Sequence, residues 1–297
     1  MKRFALVAAL VLVVGLTSAH AGSLDVLWYG HNSATSSGTY NTAVAALGGL
    51  AGSAGNGPNT WSLDIWNVGD PTPTFSDYDV LVIGSGFRTF FPDFDPTRLL
   101  GASAAIQAAR GNRTFLSGQD ADWHNFNNLS GRASNDGPRG FLLNAVNWAG
   151  SGAGMGIVAL PDNVAGAPFS SWMTDPTSFL ASELSGNTVY FNDNRVIIPA
   201  STAGFPVNAG LTTAGLSNWS TSSHMGFLKT TTDLDGDVYK SINDTGHLGF
   251  SSNYVITLVT ADQAGGGTNA VPEPGTLALL GLGLLGLGLS ARRRCRR

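Results

Sequence analysis

Gly118-Gln119-Asp120-Ala121-Asp122-Trp123-His124 is the densest group of chemically capable side chains in this sequence. Two carboxylates and an imidazole this close together can exchange protons with a sugar or hold a divalent ion. They follow the apolar run Arg113 to Gly118, which reads as a strand, so they stand beyond its carboxyl end. That is where open parallel sheets bind ligands. Two further strand ends supply His31 and then Ser85, Gly86 and Arg88. His31, Asp120, Asp122 and His124 are therefore the candidate catalytic residues, expected to converge at one sheet edge. Ser85, Gly86, Arg88 and Gln119 are the candidate ligand-binding residues. The competing role is structural, since an Asp after a strand commonly caps the following helix. For Asp120 the cap is the first reading.

Asp233-Leu234-Asp235-Gly236-Asp237 alternates carboxylates as a calcium loop does. An EF-hand needs glycine at its sixth position and a bidentate glutamate at its twelfth; Val238 and Asp244 stand there instead. Asp233, Asp235 and Asp237 thus read as a solvated turn first and a metal site second. His224 and His247 have no neighbouring partner in sequence and read as structural. Trp61, Trp66, Trp123, Trp172 and Trp219 could stack on sugar rings, though core positions suit most of them. The only cysteine, Cys295, lies near the C-terminus. This excludes internal disulfides, thiolate metal sites and a cysteine nucleophile from the rest of the chain. No phosphate-binding loop, dinucleotide fingerprint or serine hydrolase elbow is present. No cofactor is implied, and a divalent metal is the one such group the residues leave open.

The elements that must position these groups alternate strand and helix. Strands are expected at Leu24 to Tyr29, Trp61 to Val68, Tyr78 to Gly86, Arg113 to Gly118 and Ile157 to Leu160. Tyr78 to Gly86 is the most continuous apolar run, as in a strand buried on both faces. Helices are expected over Thr39 to Leu50, from Asp95-Pro96 to Ala109 and over Pro138 to Ala149, the second with an Asp cap and an N1 proline. This alternation predicts an α/β fold, a flavodoxin-like doubly wound, mostly parallel sheet with the Tyr78 to Gly86 strand central. Beyond Asp162 the pattern loosens into an irregular β-rich elaboration. There Asp175-Pro176 should cap a helix reaching Leu184, and strands are expected at Thr188 to Asn192, Arg195 to Pro199 and Tyr254 to Thr260.

Both ends of the chain carry targeting signals. Lys2-Arg3, the apolar Phe4 to Leu16 and Ala19-His20-Ala21 form a secretory signal peptide, residues 1–21. Residues 22–262 make the folded body, and the Gly-rich 263–271 a flexible linker. Residues 272–297 begin Pro272-Glu273-Pro274, continue with seventeen uncharged residues, 275–291, and end on five arginines. As a helix, 275–291 rises about 25 Å, the short end of a membrane span. The arginines favour the cytoplasmic side, leaving the body outside the inner membrane. From Asp25 to Glu273 there are nine Lys and Arg against twenty Asp and Glu, a net charge of about −11. That excludes nucleic acid as a partner.

The tail resembles the PEP-CTERM signal, in which a Pro-Glu-Pro turn, an apolar segment and a basic stop are recognised by the membrane enzyme exosortase. The resemblance implies sorting through Pro272, Glu273 and Pro274. It also implies signal peptidase, the export machinery and exosortase as partners, with exopolysaccharide as a further candidate. The implied location is inner-membrane anchorage with the body outside, then the cell surface or extracellular matrix after processing. The body is similar to the class I glutamine amidotransferase-like superfamily, nearest its ThuA-like branch. Asp25 to His31, Tyr78 to Gly86, Thr114 to Asp120, Phe205 to Leu211 and Ser222-Ser223-His224 carry that resemblance. The superfamily places its nucleophile in a G-x-C-x-G elbow, where this chain has Gly118-Gln119-Asp120-Ala121-Asp122. Aspartates replace the cysteine and the second glycine, so amidotransferase chemistry is not implied. Two functions remain: a non-catalytic exported protein whose body binds a ligand or partner, which the missing nucleophile favours, and an extracytoplasmic carbohydrate-active enzyme using Asp120, Asp122 and His124.

Overall fold

The computed structural model describes residues 23–29, 60–67, 69–85, 95–126, 136–161, 171–184, 188–217, 219, 221–228, 239–246 and 253–260. His31, Gly86, Arg88, Asp233, Asp235, Asp237, His247, the expected Thr39 to Leu50 helix and both targeting segments lie outside them. The chain divides into two compact units, Met1–Ala261 and Asp262–Arg297, and every described residue belongs to the first. Among the described residues no helix is long and apolar enough to cross a membrane.

Five parallel strands form the centre of one sheet: β1 (Ser23–Tyr29), β2 (Thr60–Trp66), β3 (Val80–Ile83), β4 (Arg110–Ser117) and β5 (Met155–Ala159). They lie in the order β2-β1-β3-β5-β4. All four residues of β3 are fully buried, as a central double-faced strand requires. Strand parity divides the core. Val26, Trp28, Val80, Val82, Phe115 and Val158 face one hydrophobic layer; Leu27, Tyr29, Leu81, Ile83, Leu116 and Ile157 face the other. Burying each such side chain contributes about 1.5–3 kcal/mol, so the double-sided apolar run fixes where the strand sits.

β4 follows β3 in sequence but is not its neighbour in the sheet, because β5 lies between them. The chain overshoots by one strand position from β3 to β4 and returns to form β5. Right-handed crossovers put the two connections on opposite faces when the direction of travel reverses. The helices obey this. α1 (Pro96–Gly101) and α2 (Ser103–Ala109) pack through Leu99 and Ile106 on one face, whereas the longer helix of the return, Pro138–Gly150, packs through Phe141, Leu142, Ala145 and Val146 on the other. Asp95 caps α1, its carboxylate accepting from the amides of Thr97 and Arg98 at 2.9 and 3.3 Å with Pro96 at the first position; such a cap contributes about 1 kcal/mol. The single helix expected here is broken at Ala102, just after Gly101, a residue that weakens helix interiors.

Between β4 and the long helix lies α3 (Ala121–Phe126), so Pro138–Gly150 is α4. α4 is buried on nearly every side, and two of its asparagines bond across the core. Asn147 Oδ1 accepts from the Trp61 indole at 3.0 Å, and Asn144 donates to the carbonyls of Val207 and Ala209. Past β5, Asp175 accepts from Thr177 rather than starting a helix, and the short helices are α5 (Ser171–Thr174) and α6 (Ala181–Leu184). β6 (Thr188–Asp193) and β7 (Val196–Ile197) follow, then α7 (Thr213–Leu216), β8 (Ser223–Leu228), β9 (Tyr239–Thr245) and β10 (Tyr254–Thr260). β10 crosses the sheet antiparallel to β4, β8 and β9, turning the parallel centre into a mixed sheet with extra strands.

Candidate functional site

β10 brings the site together. It pairs with β4 through Thr257 to Val259 and with β8 through Tyr254 and Val255, so the end of β4 meets the start of β8. Gly118 is the junction: its amide donates to the Ile256 carbonyl at 3.0 Å, and its carbonyl accepts from the His224 amide at 2.8 Å. A Cβ at Gly118 would lie 1.8 Å from the Met225 carbonyl oxygen, so only glycine allows this approach. The consequence is chemical. Asp120, two residues beyond Gly118, and His224, at the start of β8, are held side by side although 104 positions separate them in sequence.

His124 completes the group. Its amide donates to the Asp120 carbonyl at 3.1 Å in the first turn of α3, so its ring returns over Asp120 at the (i, i+4) spacing. Asp120 Oδ1 lies 3.1 Å from His124 Nε2, and Asp120 Oδ2 lies 3.4 Å from His224 Nε2. Asp120 is 1% exposed, and neither of its oxygens receives a well-formed hydrogen bond. Asp120 therefore does not cap α3 through its side chain. Burial pushes its carboxyl up, but the facing His224 and His124 outweigh that and hold it below the usual carboxylate range.

The two imidazoles are held differently. His224 Nδ1 lies 2.7 Å from Asn192 Oδ1, and the Asn192 amide nitrogen donates to the Tyr190 hydroxyl at 2.7 Å. His224 Nδ1 thus carries a proton and Nε2 is turned towards Asp120. His124 Nε2 lies 2.9 Å from the Thr221 carbonyl, and its Nδ1 is buried without a hydrogen-bond partner. The Trp219 ring packs 5.4 Å from the His124 ring, centroid to centroid. Among the described residues, Asp120, His124 and His224 are the group able to hold a metal, their ligand atoms all within 4.8 Å of one another.

The other candidates are placed elsewhere or spent otherwise. Asp122 Oδ2 accepts from the Ser85 amide at 2.9 Å and from its hydroxyl at 3.2 Å, tying the end of β3 to α3. Gln119 is fully buried and donates to the Leu216 carbonyl at 3.1 Å. Trp61, Trp66, Trp172 and Trp219 are buried, and Trp123 is half-buried. His224, read from sequence as isolated, is the residue sequence reasoning missed. Its signal was the apolar alternation of Met225 and Phe227 directly after it, which marks a strand. A separate groove of about 370 Å³ lies on the β7–β9 side, lined by Thr202, Phe205, Lys240 and Asp244 among others.

Residues 270–294 match the PEP-CTERM protein-sorting motif. The chain therefore carries the exported, membrane-associated sorting signal on which exosortase acts. Nothing among curated proteins or solved structures matches the chain.

Proposed function

We propose that this chain is an exported protein, anchored by its tail in the inner membrane and released by exosortase to the cell surface or an extracellular matrix, and that its α/β body binds a ligand or partner there. The sorting motif at 270–294 is the observation that carries this reading. The signal peptide, the arginines after the apolar run and the acidic body agree with it. Two features favour a binding role over catalysis. The elbow after β4 has no nucleophile, and Asp122 and Gln119 are committed to Ser85 and the Leu216 carbonyl. The groove beside Phe205 and Lys240 offers a small ligand one aromatic wall and one cation. An amidotransferase-like, ThuA-like ancestry of the body belongs to the same proposal, supported by the runs Asp25 to His31, Tyr78 to Gly86 and Thr114 to Asp120. Exopolysaccharide is the partner class that fits such a destination.

Expression in a host with an exosortase system, followed by membrane fractionation and intact-mass measurement, tests the reading. The expected product has lost about the first 21 residues and the tail beyond the Pro-Glu-Pro turn, and removing residues 270–297 should leave the body soluble and unanchored outside the inner membrane. A full-length soluble product in the cytoplasm would overturn it.

A further inference from the structure

We infer that Asp120, His124 and His224 form a binding site for one divalent first-row transition-metal ion, with two imidazole ligands and one carboxylate. This goes beyond the sorting reading and does not depend on it.

The distances carry the argument. A charge-assisted N–H···O contact is about 2.7–2.9 Å long. Asp120 stands 3.1 and 3.4 Å from its two imidazoles, and neither contact has hydrogen-bond geometry. Two ligands of one tetrahedral ion with bonds near 2.0–2.1 Å are about 3.3 Å apart. The observed spacing therefore suits ligands sharing an ion better than partners sharing a proton.

The protonation pattern points the same way. With Nδ1–H directed at Asn192, His224 turns its Nε2 towards the Asp120 carboxylate. Between that nitrogen and the carboxylate stands either a second proton or a metal ion. A hydrogen bond from the non-ligating nitrogen to a fixed oxygen is also how metal-binding histidines are oriented. At His124, metal binding through Nε2 expels the proton now facing Asp120 and Thr221.

The donor set narrows the ion. Two imidazoles disfavour magnesium and calcium, which prefer all-oxygen shells, and no thiolate is present to select copper(I). Zinc and ferrous iron both suit two nitrogens and one oxygen, with a remaining position open to water or ligand.

The test uses the full chain, purified without a polyhistidine tag, stripped with chelator and titrated with Zn2+, Fe2+ or Co2+ alone. One equivalent should bind, Co2+ should develop ligand-field absorption, and metal should raise the melting temperature. Asp120→Asn, His124→Gln and His224→Gln should each weaken binding at least 100-fold, while Asp77→Asn, on an exposed 3-10 turn, leaves it unchanged. Fold retention is read by circular dichroism in chelator. If Asp120→Asn does not fold, His224→Gln, at the more exposed side of the cluster, decides. Tighter Zn2+ than Fe2+ binding identifies a zinc site, and the reverse an iron site. Failure of every ion to bind would overturn the proposal, leaving a proton-compensated ion pair. So would stoichiometric binding that survives both Asp120→Asn and His224→Gln. Neither result bears on export.

Discussion

Arg110, Glu183 and Tyr239 bury charge much as Asp120, His124 and His224 do, but the two clusters treat their polar atoms differently. Each guanidinium nitrogen of Arg110 donates, to Thr114, to both Glu183 oxygens at 2.7 and 2.9 Å, and to Tyr239. The Tyr239 hydroxyl donates to Glu183 as well. Burial pushes that hydroxyl far above its usual range and Glu183 adds to the effect, so it remains a neutral donor. In the second cluster the carboxylate has two imidazole neighbours and no well-formed hydrogen bond. A satisfied network stabilises a fold, whereas a buried carboxylate faced by two imidazoles without good hydrogen bonds leaves room for the cation proposed above.

The sharpest break in that comparison is Glu183→Ala. It strands the Arg110 guanidinium, whose side chain is 6% exposed, beside Tyr239. Removing one partner of a buried pair costs about 3–5 kcal/mol. Denaturant unfolding should show a loss of that size with metal affinity unchanged. A loss below 1 kcal/mol would mean that this network contributes little to the fold.

Gly118→Ala should come next. Its Cβ cannot coexist with the Met225 carbonyl at 1.8 Å, so the start of β8 must move away from β4. Overpacking of this kind costs about 1–3 kcal/mol. Unlike Glu183→Ala, it should also reduce metal binding, because His224 moves with β8. Equal metal affinity in the folded variant would show that the junction does not position the site.

Asp120→Asn separates the clusters in the opposite sense. In chelator it should cost less than Glu183→Ala, since the lost attraction of the two imidazoles is offset by removing a buried charge. A loss matching Glu183→Ala would make the Asp120 cluster a structural ion pair of the same kind.

The parts of this molecule legible in sequence were those with local causes. Tyr254 to Thr260 is a strand with the expected bounds, because seven β-prone residues leave little choice. The Asp95-Pro96 helix start rests on a cap formed within three residues. What escaped depends on distant contacts. β8 and β9 carry Ser, His, Gly, Lys, Asn and Asp, and they become strands by pairing with β10 and with β6 and β7. The insertion of β5 between β3 and β4 leaves no mark on either sequence. Asp120, Asp122 and His124 were visible as a group, yet only Asp120 and His124 share a site. Their third partner stands on a strand whose position is set by Gly118 and β10.

The finest distinction lies one residue outside the cluster, at Asn192. Its carbonyl oxygen meets His224 Nδ1 at 2.7 Å and touches neither Asp120 nor His124 through any hydrogen bond. In a structural ion pair that bond would be one more stabilising contact, and Asn192→Ala would cost about 1 kcal/mol of stability and nothing else. In a metal site it orients the ring so that Nε2 can ligate, and such outer partners are worth about 10–100-fold in metal affinity. Asn192 lies on the exposed side of β6, so its stability contribution should be a few tenths of a kcal/mol. Asn192→Ala should therefore weaken Zn2+ or Fe2+ binding about tenfold or more while leaving the melting temperature in chelator nearly unchanged. Asn192→Asp, which keeps an acceptor for Nδ1–H, should restore most of the affinity. Loss of stability without loss of affinity would place the Asp120 cluster with the Arg110 network after all.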